Sequence, residues 1–188
     1  MYAVGILCGI TLSVYQIGAD VAYPDFDLAI LDGGGAIIFM GSDNIVGDVI
    51  NASTGGGGFC HCAIYPAITD PDGVPLLIES RGGEGVGMRP LHHYDGRLVA
   101  YYPLDERETI HVRGASMALL GRPYRLRSGG VHCADLVYAC LPPDLRRHLA
   151  IPRSQVTPNG LAEALGITVE MATPMDQGLV DRVSIERR

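Results

Sequence analysis

The sequence predicts a single domain that mixes short strands with short helices, and three observations carry that reading. The chain has 188 residues, enough for one well-packed core and too few for two large ones. Its apolar runs are of two kinds: β-prone stretches such as FCHCAIY at 59–65 and VPLLIES at 74–80, and a helix-spaced stretch, CADLVYACL, from Cys133. Twenty-five glycines and twelve prolines punctuate these runs with turns, without a collagen-like or low-complexity period. A hydrophobic content of 47% with three Phe and no Trp indicates an aliphatic core.

Taken in order, residues 1–19 read as an apolar strand or irregular helix. Residues 20–32 carry four aspartates around Pro24, and a glycine triplet follows. Ala36 to Met40 reads as a short buried strand, and Val46 to Ile50 as a β-prone segment. The loop STGGGG before Phe59 suits a mobile connection or a close backbone approach; no Gly-Lys-Ser/Thr ending makes it a phosphate loop. In the strand Phe59 to Tyr65, period-two geometry puts His61, Ala63 and Tyr65 on one face and Cys60, Cys62 and Ile64 on the other. DPDG at 70–73 is a turn signal, and Val74 to Ser80 is the next strand, with Leu77 and Glu79 on one face. RGGEGVGMRP at 81–90 reads as a glycine-rich connection without a dinucleotide fingerprint, and Arg97 to Tyr102 as a further strand ended by Pro103. Asp105 caps a helix over Glu106 to Leu120, with Glu108 completing a capping box and Gly121 and Pro123 stopping it. Beyond the Cys133 run, Pro142 and Pro143 end the helix, Asp144 caps Leu145 to Ala150, and Thr157 caps a helix with Pro158 at its first position and Gly166 past its end. The tail alternates weakly through Ile167, Val169, Val180, Val183 and Ile185.

Charge and cysteine content restrict the function. Residues 1–80 hold nine acidic and no basic groups, and residues 81–188 hold twelve acidic and fourteen basic ones, so the parts carry −9 and +2 and sum to −7. There is no lysine. Without a clustered basic surface, a nucleic-acid partner is not expected. Arg122, Arg125 and Arg127 read as a solvated loop, with carboxylate recognition beside Cys133 as the alternative. Five cysteines, at 8, 60, 62, 133 and 140, make no regular disulfide framework and fit a reducing compartment or a free reactive thiol. The apolar opening lacks a basic n-region and contains Ser13, Gln16 and glycines, so neither a standard signal peptide nor a membrane span is read there. The expected location is cytoplasmic, or outside by a route not visible as a standard signal peptide.

The stretch with most chemical content is SGGVHCADLVYACL at 128–141. Val137, Cys140 and Leu141 recur at i+4, i+7 and i+8 from Cys133, which turns the cysteine toward the core. A thiol at a helix N-terminus meets unpaired N–H groups and the positive end of the macrodipole, so its pKa falls below about 8.5. The alternative is a small buried hydrophobe. Among six histidines, His132 is adjacent, but its ring is expected to point away from the thiol, and His61 is the better base. An antiparallel hairpin would bring Glu79 to His61, where a carboxylate orients the imidazole; an exposed edge glutamate is the alternative.

Rival chemistries have weaker support. Cys60, His61 and Cys62 look like metal ligands, but alternation separates the cysteines from the histidine, and neither CxxC nor HExxH occurs. A zinc site would need Cys60 and Cys62 to meet His92 or His132. A serine esterase lacks GxSxG, and no carboxylate pair has a recognisable spacing. A binding or structural protein with an inert Cys133 stays open.

The ordered set VGDVI, FCHCAIY, LLIES, GRPY, HCADLVYACL and VTPNGLAEAL resembles the circularly permuted papain-like enzymes of the NlpC/P60 superfamily, especially their YiiX-like branch. The resemblance covers about Val46 to Leu165. In it His61 matches the strand histidine, Cys133 the nucleophile and Glu79 the polar group that orients the histidine. Gly47 and Asp48 match the start of the first core strand, and Gly121, Pro123 and Tyr124 the approach to the nucleophile helix. Ala134 departs from the serine that often follows the cysteine.

The resemblance implies an α+β fold in which the Cys133 helix packs against an antiparallel sheet carrying His61 and Glu79. Residues 46–166 would form the permuted papain-like core, 1–45 an N-terminal elaboration packed on it, and 167–188 a C-terminal extension. The implied activity is a cysteine amidase or peptidase working through a thioester, with no metal or organic cofactor. The Cys133 backbone N–H would donate to the oxyanion, with a second donor from Tyr65 or Tyr124 and a substrate contact from His132. The expected substrate is a peptide or peptidoglycan fragment. A lipid ester or amide hydrolase or acyltransferase with the same site, acting on an acyl lipid, is the second reading.

Overall fold

The computed structural model describes residues 34–41, 45–53, 56, 58–94, 99–124, 131–152, 155–169 and 183–185. The readings for residues 1–33, most of the glycine loop, Arg125, Arg127 and Val180 lie outside them.

An antiparallel five-stranded sheet with helices packed on it gives the chain a mixed α+β architecture. Its strands are β1 (Ala36–Met40), β2 (His61–Tyr65), β3 (Leu76–Arg81), β4 (Gly85–Pro90) and β5 (Val99–Pro103), in the order β4-β3-β2-β1-β5. The strand that begins at His61 is therefore central. β1, AIIFM, is buried along its whole length; it sets Met40 opposite His61 on one side and opposite Val99 on the other. This strand falls in the stretch read as an N-terminal elaboration, yet it is an inner strand of the sheet. The DPDG turn joins β2 to β3 as predicted: the Asp70 carboxylate accepts from the N–H groups of Asp72 and Val74 at 2.9 and 2.8 Å, and β2 and β3 register with Ile64 opposite Ile78.

Alternation along these strands sorts the core into two layers. One face presents Ile37, Phe39, Cys62, Ile64 and Ile78 to the helices, and the other presents Ala36, Ile38, Met40, Ala63, Tyr65 and Leu77. The helices are α1 (Ile45–Ser53), α2 (Glu106–Met117), α3 (Cys133–Cys140), α4 (Pro143–Leu149) and α5 (Pro158–Ala164). Val112 of α2, Leu136 and Val137 of α3 and Leu161 of α5 meet on the first face, each contributing roughly 1.5–3 kcal/mol by leaving water. A two-stranded ribbon, β6 (Ile167–Val169) with β7 (Val183–Ile185), follows α5, and Ile167 joins the same apolar cluster.

Three local readings are corrected. Val46 to Ile50 is part of α1 and not a strand: Ile45, Val46, Val49 and Ile50 have helical i, i+4 spacing, which outweighs their β-branched propensity. The Gly47–Asp48 pair matched to a first core strand therefore lies in a helix, and the strand ahead of His61 is β1. Residues 85–90, read as a connection, form edge strand β4. Its glycines allow a close approach: Gly85 sits at φ +81°, and a Cβ there would lie 2.3 Å from the Arg122 carbonyl. Val86 N–H donates to that carbonyl at 2.8 Å, and Gly121 N–H donates to Val86 O at 2.9 Å, tying β4 to the segment after α2. Finally, α4 starts at Pro143 with Pro142 as its cap residue, because proline at the first helical position needs no N–H partner. The Asp105–Glu108 capping box of α2 and the Thr157 cap of α5 form as predicted.

Candidate active site

α3 starts at Cys133 because His132 caps it. His132 is extended at φ −85°, ψ 173°, and its Nδ1 accepts from the Asp135 N–H at 3.3 Å. The entry is held from both sides: the buried Ser80 hydroxyl of β3 donates to Val131 O, and Val131 N–H donates to Pro123 O at 3.2 Å. These bonds set the first turn of α3 against β2 and β3, leaving the Cys133 side chain 8% exposed.

His61 comes from the first position of β2. Its Nε2 is 2.6 Å from Oε2 of Glu79, with the side chains 17% and 1% exposed. The Tyr94 hydroxyl donates to the same Oε2, and the Tyr94 ring stacks on the imidazole with centroids 6.0 Å apart. Among the described residues Glu79 Oε1 accepts no hydrogen bond; it faces Nε of Arg89 at 3.8 Å and Nε of Arg81 at 3.9 Å. With Nε2 engaged by Glu79, Nδ1 is the ring atom left for sulfur.

Cys62, His132 and His61 are the neighbours whose interactions lower the pKa of the Cys133 thiol. The interaction with Cys62 favours the thiolate most; burial opposes it, and the His61 charge together with the His132 and His61 side chains holds Cys133 well below the ordinary thiol range. Burial works against a charged His61, but the Cys133 charge and the hydrogen bonds to Cys133 and Glu79 outweigh it and push His61 up to about 9. Both displacements run toward a thiolate beside an imidazolium. Burial likewise opposes a charged Glu79, yet the His61 bond and charge, the Tyr94 hydroxyl and Arg81 hold its carboxyl below the usual range. Cys62 is driven well above the thiol range by burial and then by its bond to Cys133, so it stays protonated as a donor.

The structure brings Cys133, His61 and Glu79 together, with Tyr124 beside them: burial and then the Cys133 charge raise the half-buried Tyr124 phenol. It separates Tyr65, which shares a strand face with His61 but lies four residues along β2, roughly 13 Å away at 3.2–3.4 Å per residue; burial raises it, and the charge that acts on it is Arg113. Capping turns the His132 ring over the first turn of α3, where its Nε2 sits 3.0 Å from Asp135 Oδ2; its pKa is raised first by Cys133 and also by the charge of Asp135, against burial.

Tyr94 and Ser80 were not singled out by the sequence, and Cys62 only as a candidate metal ligand. Tyr94 stood behind the more conspicuous pair His92 and His93, both of which are exposed; His93 meets Arg81 Nη1 at 3.2 Å. Cys62 points away from His61 along the strand, as alternation requires, and for that reason points toward α3. Among the described residues no group of three His, Cys, Asp or Glu side chains is arranged to hold a metal ion, and no helix is long and apolar enough to cross a membrane.

No protein-family model matches the chain, and no curated protein matches it. The fold and site define a mixed α+β protein with a buried histidine–glutamate pair beside a cysteine cluster. Those are the parts of a potential catalytic site built on a thiol.

Proposed function

We propose that the protein is a cysteine hydrolase that cleaves an amide bond of a peptide or peptidoglycan-type substrate, and that it is a permuted papain-like enzyme related to the NlpC/P60 superfamily. One observation carries the reading: an imidazole held at 2.6 Å by a buried carboxylate shifts, and is shifted by, a thiol at the first position of a helix. In chain order the strand histidine precedes the helix cysteine, in keeping with the resemblance.

In this mechanism the Cys133 thiolate attacks the substrate carbonyl. Negative charge moves to the carbonyl oxygen, where the Cys133 backbone N–H and the Tyr124 hydroxyl donate to it. The imidazolium of His61 then protonates the leaving amine and a thioester forms. Neutral His61 takes a proton from water, hydroxide attacks the thioester, and the thiolate is regenerated. Glu79 accepts from His61 Nε2 throughout, which keeps Nδ1 facing sulfur and stabilises the charged ring. Tyr94 positions Glu79 and covers one side of the imidazole.

Site-resolved alkylation of the cysteines as a function of pH tests the primed thiol. Cys133 is expected to label selectively well below pH 8.5, a value near the ordinary thiol pKa of about 8.5; labelling only in that ordinary range, in folded protein, overturns the reading. Incubation with peptidoglycan fragments, acylated peptides and phospholipids, with mass analysis of products, then decides the bond. Exclusive release of fatty acids would replace the amidase by a lipid hydrolase.

A further inference from the structure

We infer that Cys62 is a resolving thiol for Cys133, and that the two form an oxidative modification site at which a peroxide closes an intramolecular disulfide and removes the nucleophile reversibly. The inference rests on the proposed reading of Cys133 as a reactive thiolate and extends it to a residue with no role in amide cleavage beyond donating a hydrogen bond.

The placement is specific. Cys62 follows His61 in β2 and is fully buried on the face that carries the helices, while Cys133 opens α3 on that face with 8% of its surface exposed. Both are free thiols. α3 packs against β2, both cysteines lie in one buried cluster, and each thiol shifts the pKa of the other. The neighbouring cysteines are turned elsewhere: Cys60 Sγ donates to Met40 O at 3.6 Å, and Cys140 is at the opposite end of α3.

The chemistry follows from the difference in access. The Cys133 thiolate attacks one oxygen of hydrogen peroxide, an S–O bond forms and the O–O bond breaks, and hydroxide leaves to be protonated to water. Sulfur has lost two electrons and peroxide has gained them, giving the sulfenic acid. Cys62 sulfur then attacks the Cys133 sulfur, the S–O bond breaks, and the Cys62 proton leaves with hydroxide as a second water, His61 carrying the proton. The product is the Cys62–Cys133 disulfide, and no further oxidant is consumed. A buried Cys62 meets peroxide only through Cys133, which sets the order of the two steps. Closure spares Cys133 the irreversible sulfinic and sulfonic stages.

The test titrates the full-length protein with hydrogen peroxide, then maps disulfide-linked and oxidised peptides by non-reducing mass spectrometry, with iodoacetamide labelling of Cys133 before oxidation, after it, and after dithiothreitol. The expected result is a Cys62–Cys133 linked peptide, loss of Cys133 labelling in proportion to it, and full recovery on reduction. In Cys62→Ser, which keeps a donor at that position, Cys133 is expected to proceed to sulfinic acid and recovery is lost. The wild-type linkage decides the matter even if that variant does not fold. Sulfinic acid at Cys133 of the wild type with Cys62 still free, linkage of Cys133 to Cys60, or two intact thiols after peroxide each overturns the inference. Rapid labelling of Cys133 with no linkage sinks this inference alone. Absence of rapid labelling sinks the hydrolase reading and this inference with it.

Discussion

Cys133 and Cys140 occupy the two ends of one eight-residue helix, both are buried in the same apolar cluster, and their thiols are displaced in opposite directions. Burial alone pushes a thiol up, and Cys140 shows that outcome: its pKa rises to about 12, with only the charge of Arg146 opposing. Cys133 is desolvated too, but its interactions with Cys62, the charge of His61 and the two histidine side chains take it well below the thiol range. The helix N-terminus adds to this, since free N–H groups favour a negative charge there and carbonyls disfavour it at the other end. Position on a helix and burial therefore do not by themselves lower a thiol's pKa. The neighbours brought from β2 and from the cap residue make the difference.

The most severe break in that comparison is Cys133→Ser, which is expected to lower amide turnover at least about a thousandfold, while Cys140→Ala leaves turnover unchanged and costs roughly 1–2 kcal/mol of stability in urea unfolding. Equal losses of turnover in the two variants would remove Cys133 from the chemistry. Next in size, His61→Ala should reduce turnover by about 10²–10⁴-fold and slow Cys133 alkylation near neutral pH, making the thiol more like Cys140; a folded variant with unaltered alkylation kinetics would take away its activating role.

Smaller effects separate the supporting groups. A charge-assisted hydrogen bond contributes about 1.5–3 kcal/mol, so Glu79→Gln is expected to lower turnover roughly 10–100-fold with the fold intact by circular dichroism. Tyr94→Phe removes only a hydroxyl from Oε2 and should cost about 1 kcal/mol, near fivefold in rate. A Tyr94→Phe loss exceeding that of Glu79→Gln would mean that Tyr94 acts directly and not through the carboxylate.

The pH profile sharpens the distinction between thiolate and imidazolium. His61 is raised from 6.5 to about 9, so its stabilising contribution is fully present below pH 6.5, its unfolded value, and is lost as the pH rises through about 9. Turnover needs the imidazolium to protonate the amine and is expected to fall through the same region. Alkylation needs only the thiolate and should not fall there. A turnover profile flat to pH 10 would place the proton donor elsewhere. In His61→Gln the loss of urea stability between pH 7 and 9.5 should disappear.

Much of this arrangement was legible in local pattern. Strict alternation put His61 and Ala63 opposite Cys62 and Ile64, the DPDG turn set the β2–β3 hairpin, and that hairpin delivers Glu79 to His61 as expected. The cap of α2 and the start of α3 were equally local, since capping depends on residues only three apart. Edge strand β4 escaped notice because its glycines carry no side-chain period, and α1 because β-branched residues at helical spacing serve two templates at once. Tyr65 and Tyr124 stayed alternatives for the second donor because sharing a strand face says nothing about distance along the strand.

Residue types and periodicities by themselves determined the strands around His61 and Glu79, the helix that opens at Cys133, and the chemistry those three groups are suited to. Tertiary structure alone decided which side chains converge on sulfur. It set α3 on the Cys62 face of β2 and laid the Tyr94 hydroxyl on Glu79, joining residues that are distant in the chain. No local propensity encodes such meetings, because hydrogen bonding and desolvation act through space, and a thiol's pKa is the sum of neighbours that only packing brings within reach.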